Sequence, residues 1–204
     1  TVEGRVLCRK KESTAAYLTA AEVIDGMCRN IVKTAGEMGL NQGDMRAVSI
    51  AVPGPLDYIR GVVEDSPNLR WSSVSLRDEL SKRLGYKLLL EKDTNMAVLG
   101  EWYFGQARTC RNILYITVST GIGGGMIIDN RLYRGMNGGA GEVGHMVIDP
   151  RGRVCGCGRR GCLEAMASGT AIARQAQELI DRGSGQAIKD LCGSGKEVTA
   201  WHVG

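Results

Sequence analysis

The sequence predicts an α/β fold, because segments with helical periodicity alternate with short apolar strands. The chain has 204 residues, of which 43% are hydrophobic, enough for one substantial core or two small ones. Apolar residues recur at helical spacing over 20–38 and 168–180, whereas the apolar runs at 46–52 and 87–91 are short. Helices that alternate with buried strands are typical of α/β proteins.

The first half of the chain is predicted to run helix, strand, helix, strand, helix. The first helix is amphipathic and ends at Gly39, as helices often do. A buried strand then stops at "PGP" (53–55), and "GVVEDSPNLRW" (61–71) is predicted to be a loop. Ser75 is expected to cap the helix "LRDELSKRLG", after which the strand "KLLLEKD" leads into the helix "TNMAVLGEWYFG".

The second half has a different pattern, with more glycine and more polar residues. The stretch "NILYITVSTGIGGGMIIDNRLYRG" is predicted to form two strands around a glycine-rich turn, with a second turn at Asp129 and Asn130. A polar, glycine-rich region runs from Gly135 to Gly161, and a helix follows from Ser168. The chain begins in a predicted strand, "GRVLCRK", and ends in the first turn of a predicted helix, "EVTAWHVG", which indicates a fragment of a longer protein.

Composition argues against several classes of function. The formal net charge is +4 with both signs interspersed, so no basic stripe indicates nucleic-acid binding by this chain. No apolar run approaches the roughly 18 to 20 residues of a membrane span, and the N-terminus lacks the apolar segment of a signal peptide. Four of the seven cysteines are isolated in the sequence, which favours a reducing, cytoplasmic location over a secreted disulfide scaffold.

The remaining three cysteines lie in "RVCGCGRRGCLEA". Cys155, Cys157 and Cys162, together with His145 upstream, offer three thiolates and an imidazole, a complete tetrahedral set for a structural zinc ion. A disulfide between Cys155 and Cys157 is disfavoured, because so short a ring is strained. Unpaired cysteines in a glycine-rich loop are the alternative, and His145 could equally be an ordinary hydrogen-bonded residue.

Further polar residues are candidates for binding and catalysis. Asp93 follows a strand and precedes a helix, where α/β proteins place ligands, and it could accept a proton from a sugar hydroxyl. Asn95 lies beside it, and for both residues the alternative role is that of a helix cap. Glu142 and Glu164 flank the possible metal ligands and could bind a polyhydroxylated substrate, although either could be a solvated surface residue.

The turn "STGIGGG" (119–125) could bring backbone N–H groups close to a phosphate. It precedes a strand rather than a helix, so it matches neither the dinucleotide fingerprint nor the lysine-bearing P-loop. A plain hairpin is the alternative.

Five stretches together resemble a known family. They are "AVPGPLD", "PNLRW", "EKDTNMAVLGE", "ITVSTGIGGGMIIDNRLYRGMNGGAGEVGHM" and "CGCGRRGCLEAMASGTAI", which span most of residues 48–172. They resemble the ROK family, which includes repressors, open reading frames and sugar kinases. The resemblance implies the actin-like ATPase fold of hexokinase type, with two α/β domains closing around sugar and ATP. The expected domains, both incomplete, are 1–94 and 95–204.

The resemblance also implies roles for single residues. Asp93 matches the general base that deprotonates the sugar hydroxyl, with Mg²⁺ assisting the transfer of the ATP γ-phosphate. The other matches concern sugar, phosphate and zinc: Asn68, Glu142, His145 and Glu164 for a hexose such as glucose, Thr120, Gly121 and Gly123 for the ATP phosphates, and His145, Cys155, Cys157 and Cys162 for structural zinc. Asn95 remains a sugar-binding candidate from its position.

Three departures from the family pattern stand out. The first phosphate motif, an aspartate followed by glycines and a threonine, is absent, and so is the segment that would complete the adenosine site beyond Gly204. This fragment alone is therefore expected to be inactive. Lys92 stands where asparagine is common, which leaves the preferred sugar open. A homo-oligomer is expected. The alternative function is a sugar-responsive repressor whose DNA-binding domain would precede Thr1.

Overall fold

The computed structural model describes residues 3–14, 17, 19–66, 69–193 and 195–203, apart from the side chain of Gln42. The chain divides into two compact units. Unit 1 comprises Thr1–Cys110 and Gly135–Gly139, and unit 2 comprises Arg111–Arg134 and Ala140–Gly204. Helices alternate with strands, which confirms the predicted α/β class. The domain division predicted after residue 94 concerns the complete fold and stays a prediction.

Besides a short 3-10 helix at Gln42–Asp44, the described residues of unit 1 form three α-helices and five strands. In chain order they are α1 (Ala20–Glu37), β1 (Val48–Val52), β2 (Leu56–Asp57), β3 (Val62–Ser66), β4 (Trp71–Val74), α2 (Leu76–Ser81), β5 (Leu88–Lys92) and α3 (Asp93–Tyr103). Helix α1 begins with a capping box between Thr19 and Glu22 and stops before Gly39, whose φ of +67° favours glycine.

Strands β1 and β5 form a parallel pair, with Val52 opposite Lys92 at the carboxyl end. Their inner residues, such as Ile50 and Leu90, join the main apolar core with side chains of α1 and α2. Helix α3 starts directly where β5 ends, and it contacts both strands. The carboxyl edge of this pair is therefore rigidly backed by the core.

Residues 61–71 were predicted to be a loop, and that prediction is wrong. Strands β2, β3 and β4 form an antiparallel sheet across this region, in which Val63 pairs with Val74 and Ser66 with Trp71. Two buried residues anchor this sheet, Trp71, which is 3% exposed, and Val63, which is fully buried. Polar residues separate them in the sequence, so the region resembles a loop.

Two smaller predictions are also wrong. The stretch "GRVLCRK" (4–10) forms no strand, since its residues are exposed and it has no hydrogen-bonding neighbour strand among the described residues. Ser75 precedes α2 but its side chain makes no capping hydrogen bond, because its backbone (φ −72°, ψ 68°) lies outside the extended conformation usual for a cap.

Besides short 3-10 helices at Val143–His145 and Ala200–His202, the described part of unit 2 contains three strands and three α-helices. They are β6 (Ile113–Val118), β7 (Ile122–Ile128), β8 (Arg131–Leu132), α4 (Leu163–Ala167), α5 (Gly169–Asp181) and α6 (Gln186–Cys192). The strands form one antiparallel sheet in chain order, as the sequence predicts for β6 and β7. The turn between them is confined to 119–121, so Gly123 lies within β7 opposite Thr117.

Glycine is required in β7 because another segment passes close to it. A Cβ on Gly124 would lie 2.5 Å from the carbonyl oxygen of Gly141. The helix predicted from Ser168 is α5, and the Ser168 side chain caps it by accepting a hydrogen bond from the Ala171 N–H. No helix in the described ranges is both long and apolar enough to cross a membrane.

Candidate functional site

Asp93 is the first residue of α3, immediately after the carboxyl end of β5, and its side chain is exposed. Its Oδ1 accepts a hydrogen bond of 2.8 Å from the Thr94 N–H. Asp93 therefore presents a solvent-accessible proton acceptor at the end of a rigid strand.

Behind Asp93 lies a buried polar network. The Asn95 amide, 1% exposed, donates from Nδ2 to Glu91 Oε1 at 2.9 Å and to the Tyr58 hydroxyl at 3.2 Å. Glu91 Oε1 also accepts the Lys92 N–H at 3.0 Å. The ring of Tyr58 lies against Gly138, where a Cβ would come within 2.7 Å of it. Asn95 thus contacts neighbouring side chains, and these contacts anchor the first turn of α3.

Two further positions in unit 1 bear on the predicted sugar site: Lys92, which departs from the family pattern, and Asn68, a sugar-binding candidate. Lys92 ends β5 next to Asp93 and is buried, with 5% of its surface exposed. Asn68 lies outside the described residues. The role predicted for Asn68 is therefore untested.

In unit 2, His145, Cys155, Cys157 and Cys162 come together. Their ligand atoms all lie within 4.8 Å of one another, with Cys157 Sγ 3.6 Å from Cys162 Sγ and His145 Nδ1 3.6 Å from Cys155 Sγ. A tetrahedral zinc with bonds of about 2.3 Å to sulfur separates neighbouring sulfurs by about 3.8 Å. All seven cysteines are free thiols. The predicted ligand set therefore fits a closed four-coordinate metal site.

The backbone brings these ligands together through short bridges. Val147 pairs with Cys162 and Val154 with Arg160, while the Cys155 N–H donates to the Arg159 carbonyl at 2.7 Å. Gly161 has a φ of +70°, and a Cβ there would lie 1.5 Å from the Asp149 carbonyl oxygen. Only glycine fits this position.

The pKa values of two thiols in the cluster are shifted in opposite directions. A hydrogen bond from the backbone of Arg159 and a second one from its side chain lower the pKa of the Cys157 thiol to about 6. Burial raises the pKa of the Cys162 thiol to about 11. Cys157 is thus more readily available than Cys162 as a thiolate, the form that binds metal.

His145 presents its two ring nitrogens to different groups. Nδ1 faces Cys155, whereas Nε2 lies 3.8 Å from Glu142 Oε2. A neutral imidazole that binds metal through Nδ1 carries its proton on Nε2. That N–H and the adjacent carboxylate form a donor and acceptor pair of the kind that a sugar hydroxyl can bridge.

Glu164, on α4, is placed against the glycine turn. Its Oε2 accepts the Ile122 N–H at 2.9 Å and would lie 2.4 Å from a Cβ on Gly121. Cys162 is the N-cap residue of the same helix. One short helix therefore joins the cysteine cluster to the turn that carries Thr120 and Gly121.

Several residues around these sites carry little signal in the amino-acid sequence. Tyr58 and Glu91 support Asn95, and Thr170 contacts the glycine turn through its hydroxyl. Glu91 is adjacent to the predicted "KD" pair, which is the one available signal. Ser168, just before α5, and Thr170, the second residue of α5, suggest only helix capping.

Comparison with known proteins relates this chain to one family, which contains both glucokinases and repressors. A model of the ROK family matches residues 3–203. A glucokinase of Thermotoga maritima is 39% identical over 202 residues, which are 98% of this chain and 62% of that protein. A xylose repressor of Bacillus subtilis is 40% identical over 193 residues, covering 93% of this chain and 49% of the repressor.

Among solved structures, a ROK family glucokinase from Streptomyces griseus, in complex with glucose and AMPPNP, superposes with a TM-score of 0.81. It is 34% identical, and the match covers 98% of this chain and 63% of that one. The chain thus spans about half to two thirds of the length of these relatives.

Proposed function

The chain belongs to the ROK family and shares its actin-like ATPase fold, and from this premise we propose that the protein phosphorylates a hexose with ATP. The observation that carries the proposal is the position of Asp93. Its carboxylate is exposed, and it is the first residue of α3, directly after the carboxyl end of β5. Glucose is the substrate we favour, since the glucokinases are similar over nearly the whole chain.

Asp93 would act as the general base. Its carboxylate accepts the proton of the sugar hydroxyl as that oxygen bonds to the γ-phosphorus of ATP, while the bond from this phosphorus to the bridging oxygen breaks and ADP leaves. Phosphoryl transfer depends mainly on positioning and on charge stabilisation, which Mg²⁺ supplies when bound. The rigid strand and the Glu91–Asn95–Tyr58 network fix the position of this base.

Residues of unit 2 would hold the sugar. The His145 Nε2–H donates to a hydroxyl, while Glu142 and Glu164 accept from hydroxyls. Glu164 keeps Oε2 on the Ile122 N–H, so Oε1 is the oxygen assigned to the sugar. Thr120 and Gly121 would bind ATP phosphate, and Gly123, placed inside β7, would support the turn from the strand.

We assign the cluster of His145, Cys155, Cys157 and Cys162 to structural zinc. All four coordination positions are taken by protein atoms, so the ion would shape the site without entering the reaction. Metal analysis is expected to give about one zinc per chain, with loss of order on chelation. Stoichiometric disulfides with no metal would overturn this assignment. The oligomeric state and cytoplasmic location remain predictions.

A sugar-responsive repressor is the second candidate, favoured by the 40% identity to the xylose repressor. The test uses the complete gene product and measures hexose-dependent ADP formation with glucose, mannose and xylose. Turnover with a hexose supports the kinase. Absence of turnover, together with sugar-sensitive binding to DNA from the gene's own promoter region, would support the repressor and reject the kinase.

A further inference from the structure

The glycine turn between β6 and β7 is attached to the start of α5 by its carbonyl groups. The Gly169 N–H donates to the Ser119 carbonyl oxygen at 2.7 Å. The Thr170 hydroxyl donates to the Thr120 carbonyl oxygen at 2.8 Å. A Cβ on Gly169 would lie 2.7 Å from the Ser119 oxygen, so the two segments are in close contact.

Each hydroxyl group around this contact has one acceptor to which it donates its proton. A carbonyl oxygen can only accept, so Thr170 must use its proton on Thr120. The Ser168 hydroxyl, 3.0 Å from Thr170 Oγ1, must then donate to it, while Ser168 Oγ accepts the Ala171 N–H at 3.2 Å. Three hydrogen bonds therefore run in one direction from α5 to the turn and reinforce one another.

This attachment determines where the N–H groups of the turn point. In a planar trans peptide the C=O and the following N–H point in opposite directions. Because α5 holds the Ser119 and Thr120 carbonyls, the N–H groups of Thr120 and Gly121 both point away from α5. Neither N–H has an acceptor within the described part of the chain.

The neighbouring N–H groups are already occupied. The Ser119 N–H donates to the Gly121 carbonyl at 2.8 Å, and the Ile122 N–H donates to Glu164 at 2.9 Å. Two adjacent backbone donors and the exposed Thr120 hydroxyl are left, a set that suits an oxygen of a phosphate group. The turn is thus pre-organised by residues that themselves lie outside it.

We propose that Thr170 is a positioning residue for the nucleotide phosphate, acting through the Thr120–Gly121 peptide. The proposal rests on the proposed kinase function. Thr170 is exposed and its hydroxyl fixes a single peptide plane, so its loss releases the Gly121 N–H from the orientation that binds phosphate. The sugar-binding side chains are not part of this contact.

The test compares Thr170→Val and Thr170→Ser in the complete gene product. Valine keeps the branched shape without the hydroxyl, and serine keeps the hydroxyl. With the valine variant the KM for ATP is expected to rise about fivefold to tenfold, as for loss of one hydrogen bond. The KM for the hexose and the melting temperature should stay unchanged, and serine should restore the ATP value.

Calorimetric binding of a non-hydrolysable ATP analogue gives a second readout, in which the dissociation constant should rise by the same factor. Equal changes in both KM values, no change in either, or failure of serine to restore the ATP value would overturn the role of Thr170. A wild-type protein that phosphorylates no hexose would instead reject the proposed function. Binding of the ATP analogue to wild type, Thr170→Val and Thr170→Ser would still decide the positioning role.

Discussion

The two units place their candidate site residues by different physical means. In unit 1, Asp93 follows a strand that is backed by the main apolar core, which includes the fully buried Leu76 and Leu80. In unit 2, the segment from Glu142 to Ala167 has a buried cluster of only Cys155, Cys162 and Ala165. Backbone bridges and glycine turns shape that segment.

The candidate site residues of the two units are therefore held in place by two different sources of rigidity. Apolar burial holds the base in unit 1 whether or not a metal is bound. The loop in unit 2 buries too little apolar surface to be fixed in this way, so metal coordination would supply the missing free energy. Changes that weaken one unit should therefore leave the local order of the other intact.

Metal removal should have the largest effect. A chelator, or the substitution Cys162→Ser, should remove about 10 kcal/mol of the free energy that stabilises the folded loop. Amide hydrogen exchange measured by mass spectrometry should accelerate strongly over residues 142–167 and stay unchanged over β5 and α3. Cys110→Ser, at an exposed thiol outside the cluster, is the control. Unchanged exchange over 142–167 in metal-free protein would contradict this account.

A core substitution in unit 1 should destabilise unit 1 and leave the metal site of unit 2 intact. Leu80→Ala leaves a cavity in the main core and should lower the free energy of unfolding of unit 1 by about 3 kcal/mol. Urea unfolding followed by the fluorescence of the buried Trp71 measures the loss, and zinc content should stay the same. Leu89→Ala, at a half-exposed position of the same unit, should cost less than about 1 kcal/mol. Loss of zinc in Leu80→Ala would mean that the metal loop depends on this core.

A single glycine in the loop gives a smaller and more local effect. Gly161→Ala introduces a Cβ at positive φ against the Asp149 carbonyl and should cost about 2 kcal/mol, seen as a roughly thirtyfold loss of zinc affinity. Competition with a chromophoric chelator measures the affinity. Gly156→Ala is the matched control, because a Cβ there meets no atom within 4 Å. Equal affinities of the two variants would show that the tight turn does not shape the site.

Elements with a strong local period were predictable from the sequence. Helices α1 and α5 and strands β1, β5, β6 and β7 all lie where the spacing of apolar residues indicates. The sheet of β2, β3 and β4 was missed because its buried anchors, Val63 and Trp71, are separated by polar residues. Each anchor pairs with a different residue, Val63 with Val74 and Trp71 with Ser66, so no local apolar pattern marks the strands. The strand expected at 4–10 failed because a strand also needs a neighbour, which no local pattern reveals.

The candidate sites follow the same rule. The proximity of the four possible metal ligands was predictable because their spacing is short and chemically specific. The position of Asp93 between a strand and a helix was also predictable, while its catalytic role stays a prediction. Thr170 could not be predicted, since it lies 50 residues from Thr120 and recognises a backbone carbonyl rather than a side chain. Contacts to backbone atoms leave no pattern in the sequence.

The catalytic role of Asp93 is the central claim, and Asp93→Asn in the complete gene product tests it most directly. Asparagine keeps an oxygen that can accept the Thr94 N–H, so α3 should start as before. Loss of the base should lower kcat for hexose phosphorylation by about a hundredfold to ten-thousandfold, with little change in the KM for sugar. A variant that retains more than about a tenth of the wild-type kcat would contradict the assignment of Asp93 as the base.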